Sequence, residues 1–144
     1  MRSEEVLKEY CDLLEVGEWG KIWAVKVIPL RRMCSQATSV EDMVEQMAES
    51  KIGHFAAVVS QLAENGTTGS HKFRSEANGF KAIAIKGKQQ QMYRFPAFRL
   101  RCNWVVVYGF VKPRQATWDQ KHNDWADTVR TEITEKIRGK NEQA

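Results

Sequence analysis

The segment "VVVYGFVKPRQATWDQ", from Val105 to Gln120, joins an apolar run directly to a basic, polar stretch. An uninterrupted apolar run is typical of a central strand that is covered on both faces. Lys112 and Arg114 follow at the end of this run, and Thr117 then opens a capping-box pattern that begins helices. The segment therefore predicts a buried strand, a basic rim and a final helix in immediate succession.

The regions before this segment predict three further strands. Residues 21–30, "KIWAVKVIPL", are rich in β-branched side chains, and Pro29 indicates the end of a strand or an edge. "FKAIAIKG" (80–87) and "MYRFPAFRLRC" (92–102) alternate apolar and polar residues, and "KGKQQQ" between them predicts a hairpin turn. Pro96 cannot donate to a ladder, which predicts a bulge or an edge there.

Helical periodicity accounts for the rest of the chain. It predicts a helix over Glu4 to Glu15, an αα-hairpin and a C-terminal helix. The hairpin begins at Ser39, is interrupted at Gly53 and stops at Asn65-Gly66. The core side of the last helix repeats every fourth residue: Trp125, Val129, Ile133 and Ile137.

These elements predict an α+β fold in one domain, residues 1–144. A four-stranded, mainly antiparallel sheet carries the αα-hairpin and the C-terminal helix on one face. Residues 1–18 form an extra N-terminal helical extension, and residues 139–144 form a frayed tail.

Basic residues are concentrated in one part of the chain. The net charge is +4, yet residues 70–115 hold ten Lys/Arg against a single acid, Glu76, and carry +9. The remaining 12 bases and 17 acids give −5. Such segregation indicates a polyanionic partner, nucleic acid above all, although solvated strand faces also explain charges of this kind.

Other classes of protein are disfavoured. No apolar run approaches the roughly 20 residues of a membrane span, and the N-terminus has no signal-peptide h-region, which predicts a cytoplasmic protein. Three cysteines (Cys11, Cys34 and Cys102) without C-x-x-C spacing predict inert thiols rather than disulfides. The scattered histidines predict no metal site, with His54 and His122 on the surface, and nothing predicts a small-molecule cofactor.

Three motifs in order resemble the RelE/HigB superfamily of bacterial and phage toxins. "GFKAI" (79–83) is similar to the family's "GLYEL", "MYRF" (92–95) to its "YRIL", and "YGFVKPRQATWDQ" (108–120) to its "HGFVKKTQKTP". The resemblance covers about residues 22 to 138. It implies a metal-independent, ribosome-dependent endoribonuclease that cuts mRNA, inhibits translation and is neutralised by a small antitoxin protein.

The resemblance also implies where the site lies. Arg94 matches the arginine of the "YR" motif and would stabilise the scissile phosphate, while Lys112 matches the lysine of "GFVK". A lysine serves as a base only if its pKa is lowered, which neighbouring cations would do. Lys86 shares a strand face with Ala82 and Ala84, and Tyr108 stands where the family often has histidine, so both are also candidate catalytic residues. The predicted RNA-binding residues are Lys72, Arg74, Arg99, Arg101 and Arg114. His71, beside this basic run, is a further candidate for a general base.

The chain departs from the family pattern at two positions of one strand. The family often has Glu and Arg where this chain has Ala82 and Ala84. Two other readings therefore stay open. One is a non-nucleolytic toxin of the ParE branch, which inhibits DNA gyrase. The other is a phage or prophage module that binds RNA or a host protein without catalysis.

Overall fold

Helices and strands occupy most of the chain in the computed structural model, which describes residues 2–26, 38–69, 71–89, 91–113 and 120–143. In chain order the elements are α1 (Arg2–Tyr10), β1 (Cys11–Val16), β2 (Lys21–Val25), α2 (Val40–Gln46), α3 (Glu49–Asn65), β3 (Phe73–Ser75), β4 (Lys81–Lys86), β5 (Gln91–Leu100), β6 (Asn103–Val106), β7 (Phe110–Pro113) and α4 (Gln120–Gln143).

All seven strands form one mixed sheet. Its order is β1-β2-β6-β5-β4-β3, and β7 pairs with β5 beside β6. The β2–β6 pair is parallel, and the other pairs are antiparallel. The α+β class is confirmed, but the predicted four-stranded sheet is wrong, because β1, β3 and β7 were not expected as separate strands.

The first of these additions, β1, replaces the last five residues of the predicted N-terminal helix. Helix α1 ends at Tyr10, and the next six residues pair as an edge strand with β2, from Cys11 opposite Val25 to Val16 opposite Lys21. Leu13 and Val16 are exposed on this edge. Hydrogen bonding to β2 therefore overrides a helical pattern of leucines that reads equally well as a strand.

The second addition divides the predicted central strand in two. The strand is interrupted between Val106 and Phe110, where Gly109 exchanges backbone hydrogen bonds of 2.8 and 2.9 Å with Thr38. A Cβ on Gly109 would stand 2.7 Å from Cβ of Met43, so only glycine fits this close approach. Beyond the break, β7 pairs with the opposite end of β5.

Pro96 lies across from this break. The strand β5 runs through Pro96 without a bulge and stays in register with β4, Ala82 opposite Pro96. The predicted irregularity occurs instead in the facing chain, between β6 and β7. The Pro96 carbonyl accepts a hydrogen bond of 2.9 Å from the Val107 amide, so the proline nitrogen faces the same interruption, and the ladder between β5 and β6 ends next to it.

Helices cover both faces of the sheet, so the prediction of helices on one face is wrong. One face, which we call the hairpin face, packs against α2 and α3 through residues such as Phe55, Leu62 and Phe95. The opposite face, which we call the α4 face, packs against α1 and α4 through residues such as Trp23 and Trp125. Successive strand residues alternate between the two faces.

Most helix boundaries follow the sequence signals. The Ser39 side chain accepts a hydrogen bond from the amide of Asp42 at 3.1 Å, and Gly66 ends α3 in the left-handed region, so both signals are confirmed. Gly53 does not interrupt the hairpin, because it lies inside α3 and the break falls at Met47 and Ala48.

The last helix is longer than expected. Trp125, Val129 and Ile133 are buried as predicted, and α4 continues to Gln143, through the region predicted to fray. The predicted cap at Thr117 and the strand end at Pro29 lie outside the described residues. Within the described ranges, no helix has the length and apolarity that crossing a membrane requires.

Candidate functional site

The register of three strands gathers basic residues on the α4 face. Arg94 on β5 lies between Ala84 on β4 and Phe110 on β7. Two residues earlier on β5, Met92 lies between Lys86 on β4 and Lys112 on β7 in the same way. Directly paired residues share a face, so this end of β5 carries Lys86, Arg94 and Lys112 on one side of the sheet.

Arg94 is the most unusual residue of this group. It is only 2% exposed, and its Nε and Nη1 atoms have no hydrogen-bond partner among the described residues. Burial lowers the pKa of the guanidinium and Arg74 lowers it further, while Glu76 opposes the shift. A buried cation with unused donors is costly, so Arg94 is poised to gain hydrogen bonds from an anion.

Glu76 is the acid beside Arg94, and sequence reasoning did not select it. Its Oε2 atom lies 3.5 Å from Nη1 of Arg94, and its side chain is 19% exposed. Burial raises the pKa of the carboxyl, and the positive charges of Arg94, Arg74 and Lys112 only partly oppose this. Its standing as the single acid within residues 70–115 was the sequence signal that could have identified it.

Lys112 and Arg74 complete the group. Lys112 is half-buried, and its pKa is lowered, first by burial and then by Arg94, with Arg74 adding to the shift and Glu76 opposing it. Arg74 on β3 is exposed and lies opposite Ala82, on the same face as Arg94. We call Arg74, Glu76, Arg94 and Lys112 the Arg94 cluster. Its three cations and one anion give a charge of +2 when all four are ionised.

Two further lysines border the cluster. Lys86 is exposed at the end of β4 and faces the same way as Lys112, roughly two strand spacings or about 10 Å away. Lys72 lies next to Ala84, whose amide donates to its carbonyl at 2.9 Å. The predicted RNA contacts Lys72 and Arg74 and the predicted catalytic Lys86 therefore belong to one surface.

Tyr108 occupies a different environment from the other predicted catalytic residues. It is fully buried, and its hydroxyl donates to the backbone carbonyl of His122 at 2.7 Å. The His122 ring, predicted to be on the surface, is buried and stacks on Phe110 at 3.7 Å between centroids. Tyr108 thus anchors the start of α4 beside the Arg94 cluster and presents no surface to a substrate.

Two other predicted RNA-binding residues, Arg99 and Arg101, are not part of this group. Arg99 lies at the far end of β5 and Arg101 lies in the turn to β6, and both are exposed. The Arg99 guanidinium stands 5.3 Å from the centroid of the Trp19 ring. Arg114 lies outside the described residues. His71 is exposed in the turn before β3, and His54 is exposed on α3.

The structure describes two of the three cysteines, Cys11 on β1 and Cys102 after β5. Burial raises the pKa of the Cys11 thiol to about 12, which keeps it protonated and unreactive, while Cys102 is an exposed free thiol and Cys34 lies outside the described residues. Across the described part of the chain, no three or more His, Cys, Asp or Glu side chains are grouped so that they could hold a metal ion.

Known proteins do not identify this surface. No protein-family model matches the chain, and no curated protein or solved structure matches it significantly.

Proposed function

We propose that the protein is an endoribonuclease toxin similar to the RelE/HigB class. It would cut mRNA on the ribosome without a metal ion, act in the cytoplasm and be neutralised by a cognate antitoxin. The observation that carries the proposal is the buried guanidinium of Arg94, with unused donors, next to half-buried Glu76 and Lys112. The three motifs that resemble the family place two of these three side chains at its functional positions.

The chemistry begins with the phosphate. Arg94 would donate its unused N–H groups to the nonbridging oxygens of the scissile phosphodiester, for which a planar guanidinium is well suited. Attack by the ribose 2′-oxygen adds negative charge to the phosphate in the transition state, and a fixed cation in a desolvated position stabilises that charge. Lys112, with its lowered pKa, is suited to transfer a proton in the same reaction.

The border of the cluster fits a nucleic-acid backbone. Arg74 within the cluster, together with Lys72 and Lys86 on its border, would neutralise the phosphates that flank the cut, as in other electrostatic contacts to RNA. The requirement for a 2′-hydroxyl makes RNA, not DNA, the substrate of this chemistry.

The alanines in place of the family's Glu and Arg are compatible with this proposal. Ala84 is the direct cross-strand partner of Arg94, so a guanidinium from β5 lies beside the position where the family carries arginine on β4. The short side chains of Ala82 and Ala84 leave space on that face for the long side chain of Arg94.

A reconstituted translation reaction tests the proposal. Purified protein is added to translating ribosomes programmed with a defined mRNA, in the presence of EDTA at a level that ribosomes tolerate, and primer extension maps the cuts. We expect cuts only in translated mRNA, with 2′,3′-cyclic phosphate and 5′-hydroxyl ends. Replacing both Arg94 and Lys112 with alanine should abolish the cuts while circular dichroism stays native.

The alternatives give different results in parallel assays. Inhibition of DNA gyrase on supercoiled plasmid, with intact mRNA, would favour a ParE-like toxin. Salt-dependent RNA binding without any cleavage would favour a binding module. Either result would reject the nuclease proposal.

A further inference from the structure

The structure holds Glu76 firmly at the edge of the Arg94 cluster. Its amide donates to the carbonyl of Phe80 at 2.8 Å, which closes the tight turn between β3 and β4. Two residues of that turn, Asn78 and Gly79, adopt left-handed conformations. Arg130 of α4 donates to the carbonyl of Asn78 at 2.7 Å, so the turn is also tied to the last helix. The position of Glu76 is therefore set before any ligand binds.

The Glu76 carboxylate is close to Arg94 without being bound tightly to it. The 3.5 Å separation between Oε2 and Nη1 allows an ion pair but exceeds a charge-assisted hydrogen bond, which is about 2.7–2.9 Å. Arg94 therefore keeps donors for a phosphate, and Glu76 keeps lone pairs for a proton. A phosphate bound to Arg94 would bring the adjoining ribose to the carboxylate.

We propose that Glu76 is the general base that takes the proton from the attacking 2′-hydroxyl. This assignment rests on the proposed ribonuclease function. The 2′-oxygen then forms a bond to phosphorus as the bond from phosphorus to the 5′-oxygen breaks. The Lys112 ammonium gives a proton to the leaving 5′-oxygen. The products are a 2′,3′-cyclic phosphate and a 5′-hydroxyl. Glu76 then releases its proton to solvent, and Lys112 takes up a proton from solvent.

The charges that face Glu76 come from three strands. They are Arg74 on β3, Arg94 on β5 and Lys112 on β7. Burial raises the pKa of Glu76, which makes its carboxylate a stronger base, and lowers that of Lys112, which makes its ammonium a stronger acid. The cleavage rate should therefore rise with pH as Glu76 loses its proton and fall at higher pH as Lys112 loses its own.

The Glu76→Gln variant tests the assignment through rate, affinity and pH together. In the ribosome reaction we expect kcat to fall about 100-fold or more, the size of a general-base contribution, and the acid limb of the pH profile to disappear. Binding of mRNA should be unchanged or tighter, because a negative charge next to the phosphate is lost. A merely structural role would weaken binding and leave the acid limb in place. Glu64→Gln, at an exposed position on α3, is the matched control and should behave as wild type.

A substrate with a sulfur leaving atom separates the base from the acid. In an mRNA whose scissile 5′-oxygen is replaced by sulfur, the leaving thiolate needs no proton. Cleavage of this RNA should be restored in Lys112→Met but not in Glu76→Gln.

Three results would overturn the assignment. If wild type cuts mRNA and Glu76→Gln keeps both its rate and its acid limb, Glu76 is not the base. If the sulfur substrate restores Glu76→Gln, the carboxylate acts elsewhere. If wild type cuts no RNA at all, the proposed function itself fails and the assignment fails with it. Should Glu76→Gln unfold, Glu76→Asp is measured instead, and it must be slower while keeping an acid limb.

Discussion

The two ends of β5 carry the same side chain in opposite environments. Arg99, on the hairpin face, is exposed, its Nε donates to the carbonyl of Arg101 at 2.7 Å, and its guanidinium stacks on Trp19. Arg94, five residues earlier on the α4 face, is buried, and two of its nitrogens have no hydrogen bond among the described residues. Arg99 thus has hydrogen bonds from its own chain and access to solvent, whereas Arg94 would complete its hydrogen bonds only by binding a ligand.

This difference separates a basic surface from a candidate site. An exposed arginine is solvated, and its net contribution to stability is small. A buried, incompletely paired cation costs several kcal/mol, so its presence in a folded domain indicates a use other than stability. The sequence assigned Arg94 to the scissile phosphate through its motif and Arg99 to RNA binding, and the packing adds that only Arg94 is buried.

The largest expected difference is between two single variants, in which either Arg94 or Arg99 is replaced by methionine. Arg94→Met should lower the rate of mRNA cleavage by about 10³-fold, since a phosphate-stabilising contact is lost, while the free energy of unfolding should change little, because the cost of burying the cation is removed together with its attraction to Glu76. Arg99→Met should do the reverse, with unchanged cleavage and a loss of about 0.5–1 kcal/mol from its cation–π contact. Urea unfolding and primer extension measure the two quantities, and equal behaviour of the variants would break the comparison.

The next effect concerns the proton transfer that we assign to Lys112. Lys112→Met should lower kcat by roughly 10²-fold and remove the alkaline limb of the pH profile, because the proton donor is gone. Lys86→Met, on the same face but exposed, should only weaken substrate binding and keep both limbs. Rates at several pH values decide this, and an alkaline limb that persists in Lys112→Met would show that another group donates the proton.

A smaller effect is expected for Tyr108, which lies in the segment between β6 and β7. Tyr108→Phe removes the 2.7 Å hydrogen bond that the Tyr108 hydroxyl donates to the His122 carbonyl. The free energy of unfolding should fall by about 0.5–1.5 kcal/mol, whereas cleavage should be unchanged, because the hydroxyl holds α4 and does not touch RNA. A large loss of cleavage with unchanged stability would instead restore Tyr108 to the candidate catalytic residues.

The sequence predicted the local elements of this end of the sheet better than their assembly. The alternation that puts Lys86 on the face of Ala82 and Ala84 depends on residues at most four positions apart, and the cap at Ser39 depends on a residue three positions away. The division of the apolar run at Gly109 depends on contacts with Thr38 and Met43, about 70 positions earlier in the chain. Periodicity carries no information about such distant partners.

The candidate site was predictable to the same limited degree. Arg94 and Lys112 were named from motifs, and strand register brings them together. Burial was not predictable, because it depends on how α4 and the turn after Glu76 close over the face. Glu76 itself was visible in the sequence as an isolated acid, but its proximity to Arg94 requires the three-residue strand β3, which is too short for a period-two pattern to reveal.

The smallest expected effect tests how far Glu76 compensates for the burial of Arg94. Since the folded state raises the pKa of Glu76 above its ordinary value of 4.5, the unfolded chain loses its proton first as the pH rises. The stabilisation due to protonated Glu76 is therefore complete below pH 4.5 and is lost as the pH passes through the higher pKa of the folded state. Relative to Glu76→Gln, wild type should lose stability over this interval, as urea titrations at a series of pH values would show. If Glu76→Gln instead loses stability relative to wild type as the pH rises, the attraction of Arg94 outweighs the cost of burying the Glu76 carboxylate. The charge of Arg94 would then be balanced within the protein, and the contrast with Arg99 would disappear.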